Sequence, residues 1–491
     1  MKLRAMLSFI LIWFLMAFSC TKTNELTFKL EKYMTHAQKA GFSGSVLVAK
    51  DNKFLLAKGY GMADKEKEIS FSAETVSTIG SITKQFTGAG ILKLQMMGKL
   101  NVKDPITKYF NNVPEDKKDI TLHHLLTHTA GFPGAIGPDF DPITRENFVQ
   151  LAMQTPLKRE PGTLYEYSNV GYSLCGIIIE LVSGKSYEEF LHQNLFDPAG
   201  MNHTGYLIPE WDKDNIAHGY RGNKDWGTLL DHPWLEDGPG WHLRGNGGIL
   251  STVKDIFQWH KALEGDSVLG EKEKELFYHP HVREGENADS FYGYGWALFI
   301  TPRNTQLIAH NGGNPYFSAD FLRYVDEDVV IIALANTSSY RAWKVSEALA
   351  RIVFGYDYTL PQKPESMDIE SGTNETSNET WGLPESVTGN RSTALLSALV
   401  SQDLQKTKTF IKENLAPEFL EEFSMEGHLR QFQRMQEEIG KFELVGAMKT
   451  GEYSVRLKVK SKSTGRIFQI SLDLESSPPH KIIGIGVDVQ E

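Results

Sequence analysis

Ser77-Thr-Ile-Gly-Ser-Ile-Thr-Lys-Gln-Phe-Thr87 sets Ser81 three residues ahead of Lys84, at the start of an apolar, helix-like run. Residues i and i+3 are neighbours on a helix surface, so hydroxyl and amine share one face about a turn apart. A serine hydroxyl is a weak nucleophile until a base or cation activates it. A lysine can do so once desolvation or a second cation lowers its pKa. The helix start adds partial positive charge where an alkoxide would form. Alone, the S-x-x-K spacing is a weak signal and fits an ordinary surface serine and lysine better. Its meaning depends on what accompanies it.

Tyr167-Ser168-Asn169 follows the turn marked by Pro161-Gly162 and precedes an apolar, helix-like run from Val170 to Val182. This puts the tyrosine and asparagine on a loop at a helix start. There a phenolate can move protons, and an amide can hold a substrate carbonyl while orienting the lysine. Aromatic packing and helix capping are the plain alternatives. His310-Asn311-Gly312-Gly313 follows the strand-like Thr305-Gln-Leu-Ile-Ala309 and precedes a second strand from Phe317 to Val325. A cationic or hydrogen-bonding side chain at a strand end, followed by glycines, lets a substrate lie along the strand edge. The backbone N–H groups of Ser81 and Gly313 would then form the two halves of an oxyanion hole. The alternative is a hairpin with glycines in its turn.

Three motifs in this order and at these separations resemble the serine β-lactamase and penicillin-binding-protein family, whose signature is S-x-x-K with S-D-N and K-T-G. With Y-x-N as the second motif and His for Lys in the third, the chain resembles the class C branch, which also holds esterases and D-amino-acid peptidases. Gly41-Phe-Ser-Gly-Ser-Val-Leu-Val48, Leu125-Leu-Thr-His-Thr-Ala-Gly131, Pro198-Ala-Gly-Met201 and Gly247-Gly-Ile-Leu-Ser-Thr252 are similar to the same branch. The resemblance covers residues 25 to 355.

The resemblance implies an α+β fold: N- and C-terminal strands joined in one antiparallel sheet, with a helical subdomain between them. It implies a serine hydrolase acting through an acyl-enzyme on an ester or amide, as an esterase or a D-amino-acid or peptidoglycan-type peptidase. Ser81 would attack, Lys84 and Tyr167 would move protons, and Asn169, His310, Gly312 and Gly313 would bind substrate and oxyanion. A true β-lactamase and a non-hydrolytic acyl-binding sensor are the alternatives. The third motif departs from the pattern, because Asn311 offers an amide where a hydroxyl usually helps to meet a β-lactam carboxylate. No glutamate matching the class A deacylating base is identifiable, so deacylation falls to Tyr167 and Lys84. Acyl transfer is expected; efficient penicillin hydrolysis is not.

Composition narrows the partners. The 491 residues carry a net charge of −11, which argues against nucleic acid, since phosphate binding needs a basic face. No C-x-x-C or H-E-x-x-H occurs. The adjacent His123 and His124 and nearby His128 lack an acidic or cysteine partner at ligand spacing, so a structural role is expected of them, with no metal and no cofactor. At the N-terminus, Lys2 and Arg4 precede an apolar stretch from Met6 to Phe18, too short for a comfortable membrane span. Ala17-Phe18-Ser19-Cys20 then resembles a bacterial lipobox. Residues 1–19 read as a lipoprotein signal peptide, Cys20 as the lipidated residue and residues 20–24 as a tether. The protein would then sit on the bacterial envelope, facing the periplasm or cell surface. Ordinary signal cleavage and an uncleaved anchor are the alternatives. The remaining cysteine, Cys175, lies in an apolar run and reads as a core thiol.

The hydrolase is expected over residues 25–360. Val329-Val-Ile-Ile-Ala-Leu-Ala335 is its continuous apolar run of strand length, suited to a sheet buried on both faces. Residues 361–384 are polar and repetitive and read as a flexible linker. Residues 385–491 read as a small α+β accessory domain, helical from Ser392 to Gly440 and then four strands. Its element order weakly resembles the nuclear transport factor 2 fold. One hydrolase segment, Gly219 to Gly248, interleaves Trp226, Trp234 and Trp241 with glycines and acids. It reads either as a cleft-lining loop or as an insertion anchored by its tryptophans.

Overall fold

The computed structural model describes residues 25–490 apart from residues 223, 286, 287, 338, 339, 363, 364, 368–380, 382, 402 and 422–424. The signal segment, Cys20 and the tether lie outside the described residues. The chain forms two compact units, Met1–Thr359 and Leu360–Glu491.

The first unit is built on an eight-stranded antiparallel sheet. Its strands are β1 (Gly44–Lys50), β2 (Lys53–Tyr60), β3 (Val282–Arg283), β4 (Ser290–Tyr292), β5 (Ala297–Ile300), β6 (Gln306–Gly313), β7 (Ser318–Tyr324) and β8 (Val329–Ala335). Their spatial order is β2-β1-β8-β7-β6-β5-β4-β3, so N- and C-terminal strands meet at the β1–β8 pair, as the family resemblance implies. Every residue of β8 is buried. The strand lies between β1 and β7 and packs against α4 (Val253–Glu264) and α5 (Ala342–Phe354), which follow α1 (residues 25–39), α2 (Thr83–Met96) and α3 (Asn169–Ser183) in the chain. A strand covered on both faces has no use for polar alternation, which explains the run of β-branched and aliphatic residues.

The chain between β2 and β3 supplies the helical subdomain. Its centre is α2, whose residues from Thr83 to Leu94 are buried apart from Lys93, polar ones included. A helix buried almost all round can hold a lysine only where acceptors await it. Helix α3 packs against α2 and ends at Gly184 in the left-handed conformation, a common helix stop. Cys175, on α3, is a buried free thiol.

The second unit carries helices Val387–Val400, Leu404–Asn414, Pro417–Glu421 and Met425–Ile439, followed by an antiparallel meander of Phe442–Gly451, Ser454–Ser461, Ile467–Leu474 and Ile482–Gln490. Strand Ile467–Leu474 alternates half-buried and buried residues, so only one face of the sheet is packed under the helices. The expected linker is partly built into this unit. Glu365–Met367 pairs with residues Ala447 to Lys449 as a fifth, edge strand. Trp381 is buried and stacks on Phe442, with ring centroids 5.4 Å apart. Polar composition concealed both contacts, because an edge strand needs only backbone groups and a single tryptophan leaves no periodic signal. The repetitive stretch between them lies outside the described residues.

Candidate active site

The Ser81 turn is a short 3-10 helix, Gly80–Ile82, running directly into α2. No side chain caps either element, so the orphan N–H groups of a helix start are left for other partners. Gly80 adopts a positive φ of 51°, and its backbone abuts the amide of Gly313. Gly312 abuts the turn from the other side: a Cβ there would lie 2.1 Å from the Ile79 carbonyl oxygen and 2.7 Å from the Ser81 nitrogen. Two glycines thus let a strand and a helical turn touch backbone to backbone, and Ser81 and Gly313 line one cleft. The two backbones that would have to supply oxyanion donors are thereby brought to one place.

Lys84 is fully buried beneath Ser81. Its Nζ lies 3.0 Å from Ser81 Oγ, 2.8 Å from Asn169 Oδ1 and 2.9 Å from the carbonyl oxygen of Asn246. Burial lowers its pKa to about 7, against a smaller upward pull from Asp139. A neutral amine has two N–H groups and one lone pair. The two carbonyl oxygens only accept, so they take both N–H groups and leave the lone pair facing the Ser81 hydroxyl. That is the geometry of a base.

Tyr167 sits across the cleft, with the Lys84 amine 4.7 Å from its ring centre. Burial raises its pKa, and a hydrogen bond with Ser81 only partly offsets this. The phenol is therefore neutral in the resting protein, where the Y-x-N motif alone allows a phenolate. His128 packs against it with ring centroids 4.3 Å apart, and His128 Nδ1 accepts the Ser168 N–H at 3.0 Å. The histidine is buried and shapes the loop that carries Tyr167. Asn169 is the first residue of α3, which fixes its amide against Lys84.

The third motif differs from its sequence reading. Strand β6 does not stop at Ala309 but continues through Gly313, with His310 opposite Phe321 and Gly313 opposite Ser318. The turn begins at Asn314, because glycines pair in a ladder as readily as they turn when a close neighbour needs the space. His310 is buried, its Nδ1 at 2.5 Å from the Asn311 carbonyl oxygen and its Nε2 at 2.9 Å from the Tyr292 hydroxyl. The carbonyl can only accept, so Nδ1 carries the proton and Nε2 accepts from the tyrosine. Burial and the Lys84 charge push its pKa down to about 4. His310 is a neutral, fully engaged ring, and supplies no cation.

Sequence reading passed over two contributors. Asn246 holds Lys84 through its backbone oxygen, while its side chain donates to Ser173 Oγ and the His242 carbonyl, each at 2.8 Å. Asp139 lines the cleft with Phe140, Leu229, Leu243 and Asn314. The glycine- and tryptophan-containing segment does reach the cleft, through Leu229, Leu243 and residues 246–248. Its Trp241 instead anchors the loop: it is 2% exposed, under the Arg244 guanidinium, which forms a two-pronged ion pair with Asp237 at 2.8 and 2.7 Å.

Among the described residues, His260, Glu264 and Asp328 are spaced as metal ligands could be. The Nδ1 of His260 accepts from Arg323 at 3.1 Å, so Nε2, 3.4 Å from Glu264, carries the proton. A protonated nitrogen is no metal ligand.

Residues 29–352 match the family model described as Beta-lactamase. Penicillin-binding protein 4* of Bacillus subtilis (strain 168) is 30% identical over 355 residues, spanning 68% of this chain and 77% of that protein. A crystal structure of a penicillin binding protein from Bacillus halodurans is 27% identical, with a TM-score of 0.57, and covers 65% of this chain and 99% of its own. An octameric penicillin-binding protein homologue from Pyrococcus abyssi is 22% identical, with a TM-score of 0.59 over 93% of this chain and 99% of its own; the likeness concerns the fold.

Proposed function

The chain belongs to the beta-lactamase family of serine hydrolases, and on that premise we propose that it hydrolyses an ester or amide through an acyl-enzyme on Ser81, as an esterase or a D-amino-acid or peptidoglycan-type peptidase. The observation that carries this reading is the 3.0 Å contact from Lys84 Nζ to Ser81 Oγ, with two carbonyl oxygens holding the remaining N–H groups. In the proposed reaction Lys84 takes the Ser81 proton as Oγ attacks the carbonyl carbon. The N–H groups of Ser81 and Gly313 hold the oxyanion, and Tyr167 gives its phenolic proton to the leaving group and is re-protonated from Lys84, which returns the amine to its neutral form. Water then enters by the reverse route, and the acid is released.

Penicillin turnover is not part of this reading. A penicillin carboxylate would look to the third motif for a cation, and His310 is neutral with both ring nitrogens engaged. Intact-mass spectrometry after mixing with an activated ester, and separately with a penicillin, tests the proposal. A transient acyl adduct that turns over with the ester, and is lost in Ser81→Ala, is expected. Ester hydrolysis of wild-type rate in purified Ser81→Ala would overturn it. Rapid turnover of penicillin would install the β-lactamase reading, and an adduct that persists with both compounds the sensor reading.

The location belongs to the same proposal: a lipid-anchored protein of the bacterial envelope, held through Cys20. Palmitate labelling and membrane partitioning, both lost in Cys20→Ser, are expected; a wild-type protein that takes up no label would leave ordinary secretion.

A further inference from the structure

Asp139 lines the cleft that holds Ser81, and among the described residues its carboxylate has no hydrogen-bond or ion-pair partner. It is half-buried. Burial works against its charged form, and the more distant charges of Lys84 and His242 offset this only in part. A carboxylate taken from water without a partner is costly unless something else arrives to meet it. The described residues lining the cleft include no lysine, arginine or histidine.

Phe140 lines the cleft beside Asp139. It is held by tilted ring contacts with Trp226 at 5.3 Å and His232 at 5.1 Å, while Trp226 itself is stacked between His232 and Tyr316. Ring faces attract cations, and more strongly once water is excluded. A lone carboxylate next to an aromatic ring in the cleft is therefore complementary to an ammonium and repels an anion.

We propose that Asp139, with Phe140 beside it, forms a subsite for a cationic group, so that the enzyme prefers acyl substrates bearing an ammonium over neutral or anionic ones. The inference rests on Ser81 as the nucleophile and deepens that reading by naming a substrate class. It makes Asp139 a binding residue, distinct from the proton-moving groups.

The test compares para-nitrophenyl esters of trimethylammoniobutyrate and of its carbon isostere, in which a tert-butyl group replaces the trimethylammonium. Wild-type kcat/KM is expected to be at least about tenfold higher for the cationic ester, mostly through KM, with the preference shrinking as salt is added. Asp139→Asn, assayed at about pH 9 where Lys84 is neutral with or without the Asp139 charge, should abolish the preference, read as the ratio of the two esters. Equal turnover of the two esters by the wild-type protein would overturn the subsite and leave the hydrolase intact. Equal loss on both esters in Asp139→Asn at that pH would also overturn it, by making Asp139 a requirement of the reaction and not of the cationic group. Turnover of neither ester by the wild-type protein would remove the hydrolase reading and the subsite with it. The wild-type comparison needs no variant, so a poorly folding Asp139→Asn does not protect the proposal.

Discussion

Lys84 Nζ is 2.9 Å from the carbonyl oxygen of Asn246, a residue distant in sequence and on no catalytic motif. This contact, with that to Asn169, decides which way the amine's lone pair faces. A protonated lysine would satisfy all three neighbours by donating. A neutral one satisfies them by accepting from Ser81, and only that form can act as a base.

The first prediction follows from the proton count. Burial places the Lys84 pKa at about 7. Below that value the amine is protonated and cannot accept the Ser81 proton; above it the lone pair is free. The kcat/KM for a neutral ester should therefore rise with pH through a midpoint near 7 and lose about tenfold for each further unit of acid. A profile flat from about pH 5 to about pH 9 would show that another group is the base.

Much of this arrangement is legible in the sequence, for a definable reason. Ser81, Lys84, Tyr167 and Asn169 meet through their side chains, and side chains at fixed spacing leave motifs. The β8 run from Val329 to Ala335 reveals burial on both faces because every residue is apolar. Asn246 is invisible by the same logic, since it holds Lys84 through a backbone atom that any residue possesses. Asp139 is a single acid in an irregular loop. The charge of His310 depends on burial and on Tyr292, neither of which is written in the His-Asn-Gly-Gly motif.

Tyr167 separates proton transfer from proton storage. Its phenol is neutral at rest because burial raises its pKa. Tyr167→Phe should then slow kcat by roughly 10²-fold or more, as loss of a proton-transfer group does, without moving the acid limb set by Lys84. If the limb moved with the substitution, the titrating group would be Tyr167 or a unit shared by both residues.

Gly312 bears on the proposed oxyanion hole. A Cβ there meets backbone on its nearest sides, the Ile79 carbonyl and the Ser81 amide, and backbone cannot rotate away as a side chain can. Gly312→Ala should push β6 off the Ser81 turn and separate the two N–H donors. Losing one such donor costs on the order of 10²–10³-fold in kcat. The circular dichroism of the variant should remain that of the folded protein, because the displacement is confined to one strand end. Unchanged kcat would mean that the amide of Gly313 does not hold the oxyanion.

Trp381 tests whether the second unit is energetically separate from the chemistry. Every residue assigned here to proton transfer, oxyanion binding or the cationic subsite lies within Met1–Thr359. Trp381 lies beyond that boundary, buried at 5% exposure, stacked on Phe442 and donating its indole N–H to Ser397 at 3.2 Å. Trp381→Ala opens a large cavity in the core formed with Leu395, Leu399 and Phe442, and should destabilise that unit by about 3–5 kcal/mol. Thermal unfolding should then split, with one transition moving down and the other staying in place, while kcat/KM on a small activated ester remains within about twofold of wild type below the first transition. A single transition that shifts as a whole, with ester hydrolysis falling alongside it, would show that residues 360–491 belong to the stability of the hydrolase itself.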